Sequence, residues 1–327
     1  MEQPQAEQPA HLWAAPNGRT LYAINWIKHG TVSAYRINRK TGALTLLNKV
    51  SAHGDFPNQI VLDPSGRIAV IANHDTGNFV AYKVLPDGKL GEAFFAYQDA
   101  GKPLSGKQPG PLAHGIVFSP DDRFMYLADL GLDRVYGYKV DLAKATITPG
   151  ATPYVETPAG SGPRRLQISP DGKFLYVNHQ DDSKVSVFAV DGTTLTPIQI
   201  IATIPPNYVA RNTTAEIIID RPGKHLYVSN RGRNSIAIYD IDQTTGRLTL
   251  KADTPAGGNI PRNLRLDSTG DYLLVANQGA GLMATTKGGG NVVAFRIDHA
   301  TGLLTETGAT GEINNAAGVY AVAAAPK

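Results

Sequence analysis

The chain has 327 residues, a formal net charge of +3, 42% hydrophobic and 18% charged residues, and no cysteine. Disulfides and thiolate metal centres are thereby excluded, and a mildly basic chain without a Lys/Arg run offers nucleic acid no footprint. No apolar stretch approaches the roughly 18 residues of a membrane span, so neither nucleic acid nor membrane is expected as a partner.

The N-terminal MEQPQAEQPA lacks the charged and apolar regions of a signal peptide. A cytoplasmic chain is expected, with export open if the natural N-terminus is longer. From His11 onward the chain repeats. Each copy has an apolar run, a turn anchored at Gly18, Gly66, Asp122, Gly172, Gly223 or Gly270, and a second run (RTLYAIN, RIAVIAN, RFMYLAD, KFLYVNH, KHLYVSN, DYLLVAN). A third run carries an aromatic at one repeated place: Tyr35, Tyr82, Tyr138, Phe188, Tyr239 and Phe295. After a further turn, a fourth run begins around Leu44, Leu90, Ile147, Leu195, Leu248 or Leu304.

Successive anchors lie 48, 56, 50, 51 and 47 residues apart. Four strands per repeat of about 50 residues is the pattern of a β-propeller blade. The helical period of 3.6 nowhere persists, which excludes a helical solenoid. The expectation is an all-β chain, residues 1–327 forming one β-propeller domain of four-stranded antiparallel blades. Gly318 to Pro326 reads as one more innermost strand. Seven blades are expected, the seventh incomplete or closed by both termini, with a six-bladed ring and a spare strand as the alternative. Two stretches break the spacing, residues 99–109 and 279–290; they read as connections or as a lid over the channel mouth.

Stacking the repeats on their turns yields columns of polar residues. Just before each innermost strand stand Ala10, Asn58, His114, Arg164, Ala215 and Arg262, followed by His11, Gln59, Gly115, Arg165, Glu216 and Asn263. Where the second strand ends stand Trp26, His74, Leu130, Gln180, Arg231 and Gln278, each preceded by Asn25, Asn73, Asp129, His179, Asn230 or Asn277. The start of one strand and the end of its antiparallel neighbour emerge on one face, so the columns are expected to meet at the mouth of the central channel. The arginines offer forks suited to carboxylate or phosphate, while His74, His114, His179 and Glu216 are candidate acids or bases. The blander reading of the four asparagines is that they bond loop backbone. His179 with Asp181 and Asp182 could be drawn as a metal site, but adjacent loop acids are usually solvated, and no metal or cofactor is expected. Asn212-Thr-Thr fits a glycosylation sequon, which occurs often by chance.

The segments PLAHGIVFSPDDRFMYLADLGLDRV, GSGPRRLQISPDGKFLYV, AEIIIDRPGKHLYVSNRGRNSI and PRNLRLDSTGDYLLVANQ resemble the lactonase-type seven-bladed propeller family, which includes 6-phosphogluconolactonase and the fungal carboxy-cis,cis-muconate cyclase. The resemblance runs from about His11 onward and implies chemistry on a small anionic lactone or its open acid. It places the family's third-blade histidine on His114 and its arginines on Arg164, Arg231 and Arg262. There are departures. The family's glutamate after the second strand of the fourth blade is here Gln180, which cannot serve as a general base. Trp26 stands where Asn-Glu often ends the first blade's second strand, and Leu112 replaces one of two histidines.

A lactonase acting on a sugar or muconate-type lactone at the channel mouth is therefore expected, as a monomer. Arg164, Arg231 and Arg262 would hold the anion and polarise the carbonyl, and His114 or Glu216 would activate water. Trp26, Asn58, His74, Gln180 and Gln278 would line the substrate. The alternatives are an intramolecular cyclase or isomerase of a muconate-like acid, and a non-catalytic propeller that binds a ligand or a protein.

Overall fold

The computed structural model describes residues 8–279, 289–313, 316, 318 and 319. They form six four-stranded antiparallel sheets, each made from four strands consecutive in the chain. In the first three sheets the strands are β1 (Pro9–Ala14), β2 (Thr20–Asn25), β3 (Thr31–Ile37), β4 (Leu44–Ser51), β5 (Pro57–Leu62), β6 (Ile68–Asn73), β7 (Asn78–Val84), β8 (Leu90–Gln98), β9 (Ala113–Phe118), β10 (Phe124–Asp129), β11 (Arg134–Asp141) and β12 (Thr146–Glu156). The next three hold β13 (Pro163–Ile168), β14 (Phe174–His179), β15 (Lys184–Asp191), β16 (Thr194–Ala202), β17 (Thr213–Ile219), β18 (His225–Arg231), β19 (Ser235–Ile241), β20 (Leu248–Pro255), β21 (Pro261–Leu266), β22 (Tyr272–Asn277), β23 (Asn291–Ile297) and β24 (Leu304–Glu312).

All six anchor residues have positive φ, from 62° at Asp122 to 85° at Gly270. Asp122 is the one non-glycine among them, a residue type that tolerates the left-handed region. Its turn is held by Ser119, whose Oγ donates to Asp121 Oδ1 (2.6 Å) and accepts the N–H of Phe124 (2.9 Å).

The chain divides into two compact units. The first runs to residue 159 and includes the short turn 192–194; the second holds residues 160–191 and 195–321. In the first unit the opening strands of consecutive sheets adjoin, β1 beside β5 and β5 beside β9. In the second, β13 adjoins β17 and β17 adjoins β21. Strands β5, β6, β17 and β18 are buried throughout, polar residues such as Gln59, Glu216 and Arg231 included, whereas the outer strand β24 is largely exposed.

Apolar side chains fill the space between neighbouring sheets. One cluster joins Tyr22 and Ile24 to Ile60, Ile71 and Tyr82, and another joins Val70 and Phe79 to Ile116, Leu127 and Tyr138. In the second unit Tyr176 and Val187 pack on Ile217, Val228 and Tyr239, and Tyr227 packs on Leu264 and Phe295. Two of the repeated third-strand aromatics also tie to the preceding sheet: Tyr82 Oη donates to Ser51 O, and Tyr239 Oη to Ala202 O at 2.6 Å. A buried tyrosine satisfies its hydroxyl in this way.

Residues 99–109 form no strand; Asp99 is buried and its N–H donates to Gly77 O at 3.1 Å. Most of 279–290 and of the expected strand from Gly318 to Pro326 lies outside the described residues.

Candidate functional site

Every opening strand carries a β-bulge at the same place. The paired register skips from Pro9 to His11, from Pro57 to Gln59, from Pro163 to Arg165 and from Pro261 to Asn263, leaving Ala10, Asn58, Arg164 and Arg262 unpaired. His114 is skipped between Ala113 and Gly115, and in β17 the gap widens to take in both Ala215 and Glu216. A bulge adds one residue to one strand and re-aims its side chain. The first polar column is thus a column of bulges. The residue ending the second strand of each sheet pairs with the residue opening the first, as Pro163 does with His179 and Pro261 with Asn277, so both columns emerge at one end of each sheet.

In the second unit this arrangement gathers guanidinium groups. Arg164 is 3% and Arg231 9% exposed. Arg164 Nε donates to Gln180 Oε1 at 3.1 Å, and Arg231 Nη2 donates to the same oxygen at 3.0 Å. Main-chain carbonyls complete the frame: Arg164 Nη1 donates to Ala215 O, and Arg231 Nη2 to Thr214 O at 2.9 Å. Among the described residues, no acceptor meets the buried Arg231 Nε. Arg262 Nη1 reaches Gln278 Oε1 at 3.4 Å. Glu216 is the carboxylate among them: Oε2 accepts from Asn263 Nδ2 (2.8 Å) and lies 3.8 Å from Arg165 Nε, while Oε1 accepts the Ile217 N–H (3.3 Å).

Four buried or half-buried cations outnumber Glu216 and the exposed Asp181, which accepts from Gln180 Nε2 at 3.4 Å and pulls on Arg231, and their acidities register it. Burial pushes Arg164 well below the usual guanidinium range, and the charges of Arg231, Arg165 and Arg262 push the same way. Burial brings Arg165 down to about 10 against the pull of Glu216, and burial with Arg262 brings Arg231 down to about 9. Arg262 is also lowered by burial. Arg165 and Arg231 stay above neutrality and are cationic at pH 7. Such a cluster is stabilised by an arriving anion.

Gln180 holds this arrangement together without charge. In Gln180→Glu a carboxylate would take both guanidinium donors in charge-assisted bonds, each worth about 1.5–3 kcal/mol. The expected outcome is a weakening of inorganic phosphate binding by about tenfold or more, read by calorimetry. A gain in lactone turnover instead would assign base catalysis to position 180.

In the first unit His114 is buried and meets His74 edge-on at 5.6 Å, while His74 Nδ1 pairs with Asp75 Oδ1 at 2.6 Å. Asn58 is buried, and Trp26 remains 39% exposed with its ring edge-on to Phe56 at 5.0 Å. The second polar column stitches sheets together: Ile60 N–H donates to His11 Nδ1 (3.4 Å) and Ile116 N–H to Gln59 Oε1 (2.6 Å). Three of the asparagines ending second strands bond loop backbone, Asn73 Nδ2 to Ala52 O at 2.8 Å, Asn230 Nδ2 to Thr203 O at 2.9 Å and Asn277 Nδ2 to Ala256 O at 2.9 Å. Asp129 does so more strongly: Oδ1 accepts the N–H groups of Leu112, Gly131 and Leu132, each at 2.9 Å.

His179 joins Asp182 Oδ1 (3.1 Å) through Nδ1 and Ser186 Oγ (2.8 Å) through Nε2. His179 and Ser186 are buried within the sheet, where a serine has no access to a substrate carbonyl. Among the described residues no group of three or more His, Asp or Glu side chains is arranged to hold a metal ion.

Sequence reading missed the carbonyls of Thr214 and Ala215, which no side chain announces. It also missed Arg211, whose charge acts on Arg231. Arg211 sits in the long β16–β17 connection, outside the stacked columns; the length of that connection was the available signal.

The family model described as "Lactonase, 7-bladed beta-propeller" matches residues 2–321. A 6-phosphogluconolactonase of Bacillus subtilis is 29% identical over 91% of this chain and 82% of its own length. One of Formosa agariphila is 31% identical over 90% of this chain and 82% of its own length. The solved structure of a periplasmic gluconolactonase from Pseudomonas aeruginosa superposes with a TM-score of 0.84 at 26% identity, covering 94% of this chain and 86% of that one. With the strand pattern and the whole-length match in agreement, the chain belongs to the lactonase family of seven-bladed β-propellers.

Proposed function

We propose that this chain is a lactone hydrolase whose substrate is a sugar lactone bearing a phosphate or carboxylate. The observation that carries this reading is the excess of guanidinium over carboxylate around Gln180, in a family whose relatives include proteins named 6-phosphogluconolactonase. Arg164, Arg231 and Arg262 hold the anionic group and stabilise the oxyanion as water adds to the lactone carbonyl. A base takes the proton of that water, the ring C–O bond breaks, and the alkoxide leaves protonated. His114 is assigned as the base. Glu216 is less suited, since both of its oxygens already accept hydrogen bonds. The reading takes the chain as one propeller domain, with Asn58, His74, Trp26 and Gln278 as further substrate contacts.

The test is thermal stabilisation and turnover with gluconate, 6-phosphogluconate, muconate and their lactones, using Arg262→Ala and His114→Ala as controls. A ligand at 100 times its Kd stabilises by about 2.7 kcal/mol. The phosphorylated acid is expected to shift Tm more than gluconate does, and Arg262→Ala to remove the difference. Equal shifts for both would overturn the anionic assignment, muconate turnover would favour the cyclase chemistry, and unchanged turnover in His114→Ala would remove that residue's role.

A further inference from the structure

The connection between β16 and β17, residues 203–212, is longer than the equivalent connections 157–162 and 256–260 of the same unit. It is nevertheless a fixed element. Its two ends clasp one residue, Asn230, whose Oδ1 accepts from Thr203 Oγ1 at 2.7 Å and from Asn212 Nδ2 at 3.0 Å, while Asn230 Nδ2 donates to Thr203 O at 2.9 Å. Ser183 holds the same two ends: its carbonyl accepts the Thr203 N–H and its Oγ accepts from Asn212 Nδ2, each at 2.9 Å. All four side chains are buried. In the middle of the connection, the Arg233 guanidinium, paired with Asp253, lies over the Tyr208 ring at 5.3 Å, a cation–π contact.

The clasped Asn230 directly precedes Arg231, so the connection is fixed against the anion-holding cluster. Gly232 brings it closer still. Its φ is 119°, and a Cβ there would lie 2.3 Å from Arg211 O, so the main chain of Arg211 approaches as only glycine permits. Asn212 Oδ1 also accepts the Arg233 N–H at 3.1 Å. Arg211 is thereby set beside Arg231, where its charge is felt. The two guanidinium groups differ in what they offer. Arg231 is buried and uses Nη2 on Gln180 Oε1 and Thr214 O. Arg211 is exposed, and among the described residues no hydrogen bond or ion pair occupies its head group. Asp181 tempers the charge at Arg231 without adding a donor. A carboxylate presents two oxygens and is filled by one fork, whereas a phosphoryl group presents three oxygens and close to two charges. A buried arginine with an exposed one beside it matches the second kind.

We propose that Arg211 is a specificity-determining residue: it takes the outer oxygens of a dianionic phosphoryl group held by Arg231 and so sets phosphorylated ligands apart from carboxylates. The inference rests on the lactonase reading for its substrate, though not for its anion site. The experiment titrates inorganic phosphate into the full chain by calorimetry, wild type against Arg211→Gln, and then compares turnover of gluconolactone and 6-phosphogluconolactone. The Kd for phosphate is expected to rise tenfold or more in Arg211→Gln with Tm kept, since the side chain is exposed and outside the clasp. The ratio of kcat/KM for the phosphorylated over the unphosphorylated lactone is expected to fall by a similar factor, through KM rather than kcat. Wild-type phosphate affinity in Arg211→Gln, or no phosphate binding by wild type, would overturn the proposal. So would a loss shared equally by the two lactones. If neither lactone turns over, the lactonase reading fails, and the phosphate titration still decides the role of Arg211.

Discussion

Arg164→Ala is expected to lower kcat/KM for the lactone substrate by about 10²- to 10³-fold, the range found when one oxyanion donor is removed. The stability change should be far smaller. Arg164 is buried at a bulge, and three neighbouring guanidinium groups work against its charge. Its removal leaves Ala215 O without that donor, and Gln180 Oε1 keeps only Arg231. Against those losses, repulsion within the cluster falls. A group placed for function rather than for the fold shows this split between activity and stability. Arg164→Lys should not restore activity, because a point charge cannot span both Gln180 and the Ala215 carbonyl as a planar fork does. Steady-state kinetics alongside urea unfolding checks both statements, and an equal loss of stability and activity would make the role structural.

The second large effect concerns the fold of the first unit. Asp129→Ala is expected to destabilise by at least about 3 kcal/mol, since three buried N–H groups, those of Leu112, Gly131 and Leu132, lose one shared acceptor and each costs about 1–3 kcal/mol. Asp99 makes this anchor pH-sensitive. The Asp99 and Asp129 carboxyls are buried against each other, with the Tyr138 hydroxyl beside Asp99. Burial first, then the charge of Asp129, raises the Asp99 carboxyl well above its usual range, and burial raises Asp129 as well.

For an acid whose folded pKa exceeds its unfolded value, the folded state binds the proton more tightly, so this contribution to stability falls as pH rises from about 4 through the folded value. Asp99→Asn keeps a neutral partner at every pH. It should therefore be more stable than wild type at pH 8, differ little near pH 4, and lose part of the pH slope of unfolding. Urea unfolding at several pH values measures this, and an unaltered slope would show that Asp99 is not the proton-binding member.

Much of the fold was legible because its determinants are local. The six turn anchors read from the chain all have positive φ, and the strands fall where the apolar runs were placed. Of the four asparagines read as backbone partners, Asn73, Asn230 and Asn277 bond loop carbonyls, while Asn25 Nδ2 bonds Thr31 Oγ1 within its own sheet. The blade count expected from the sequence is not matched strand for strand, since six sheets are described and Gly318 to Pro326 lies mostly outside the described residues. Residues 99–109 read only as a connection or lid, yet they deliver Asp99 to a buried carboxyl partner. No local pattern distinguishes an aspartate that will be buried from one that will be solvated.

The sequence by itself determined the repeat, the turns, the strands and the pair of polar columns, since each depends on neighbours within a few residues. The tertiary structure decided what those columns do. A bulge is a mismatch between two strands and becomes visible only in their register, and that mismatch sets Arg164 and Arg262 apart from the ladder. Gln180 likewise looks like a lost carboxylate in one dimension and is a neutral bridge between two guanidinium groups in three. In each case the deciding quantity is a distance between residues far apart in the chain, and composition and periodicity do not encode it.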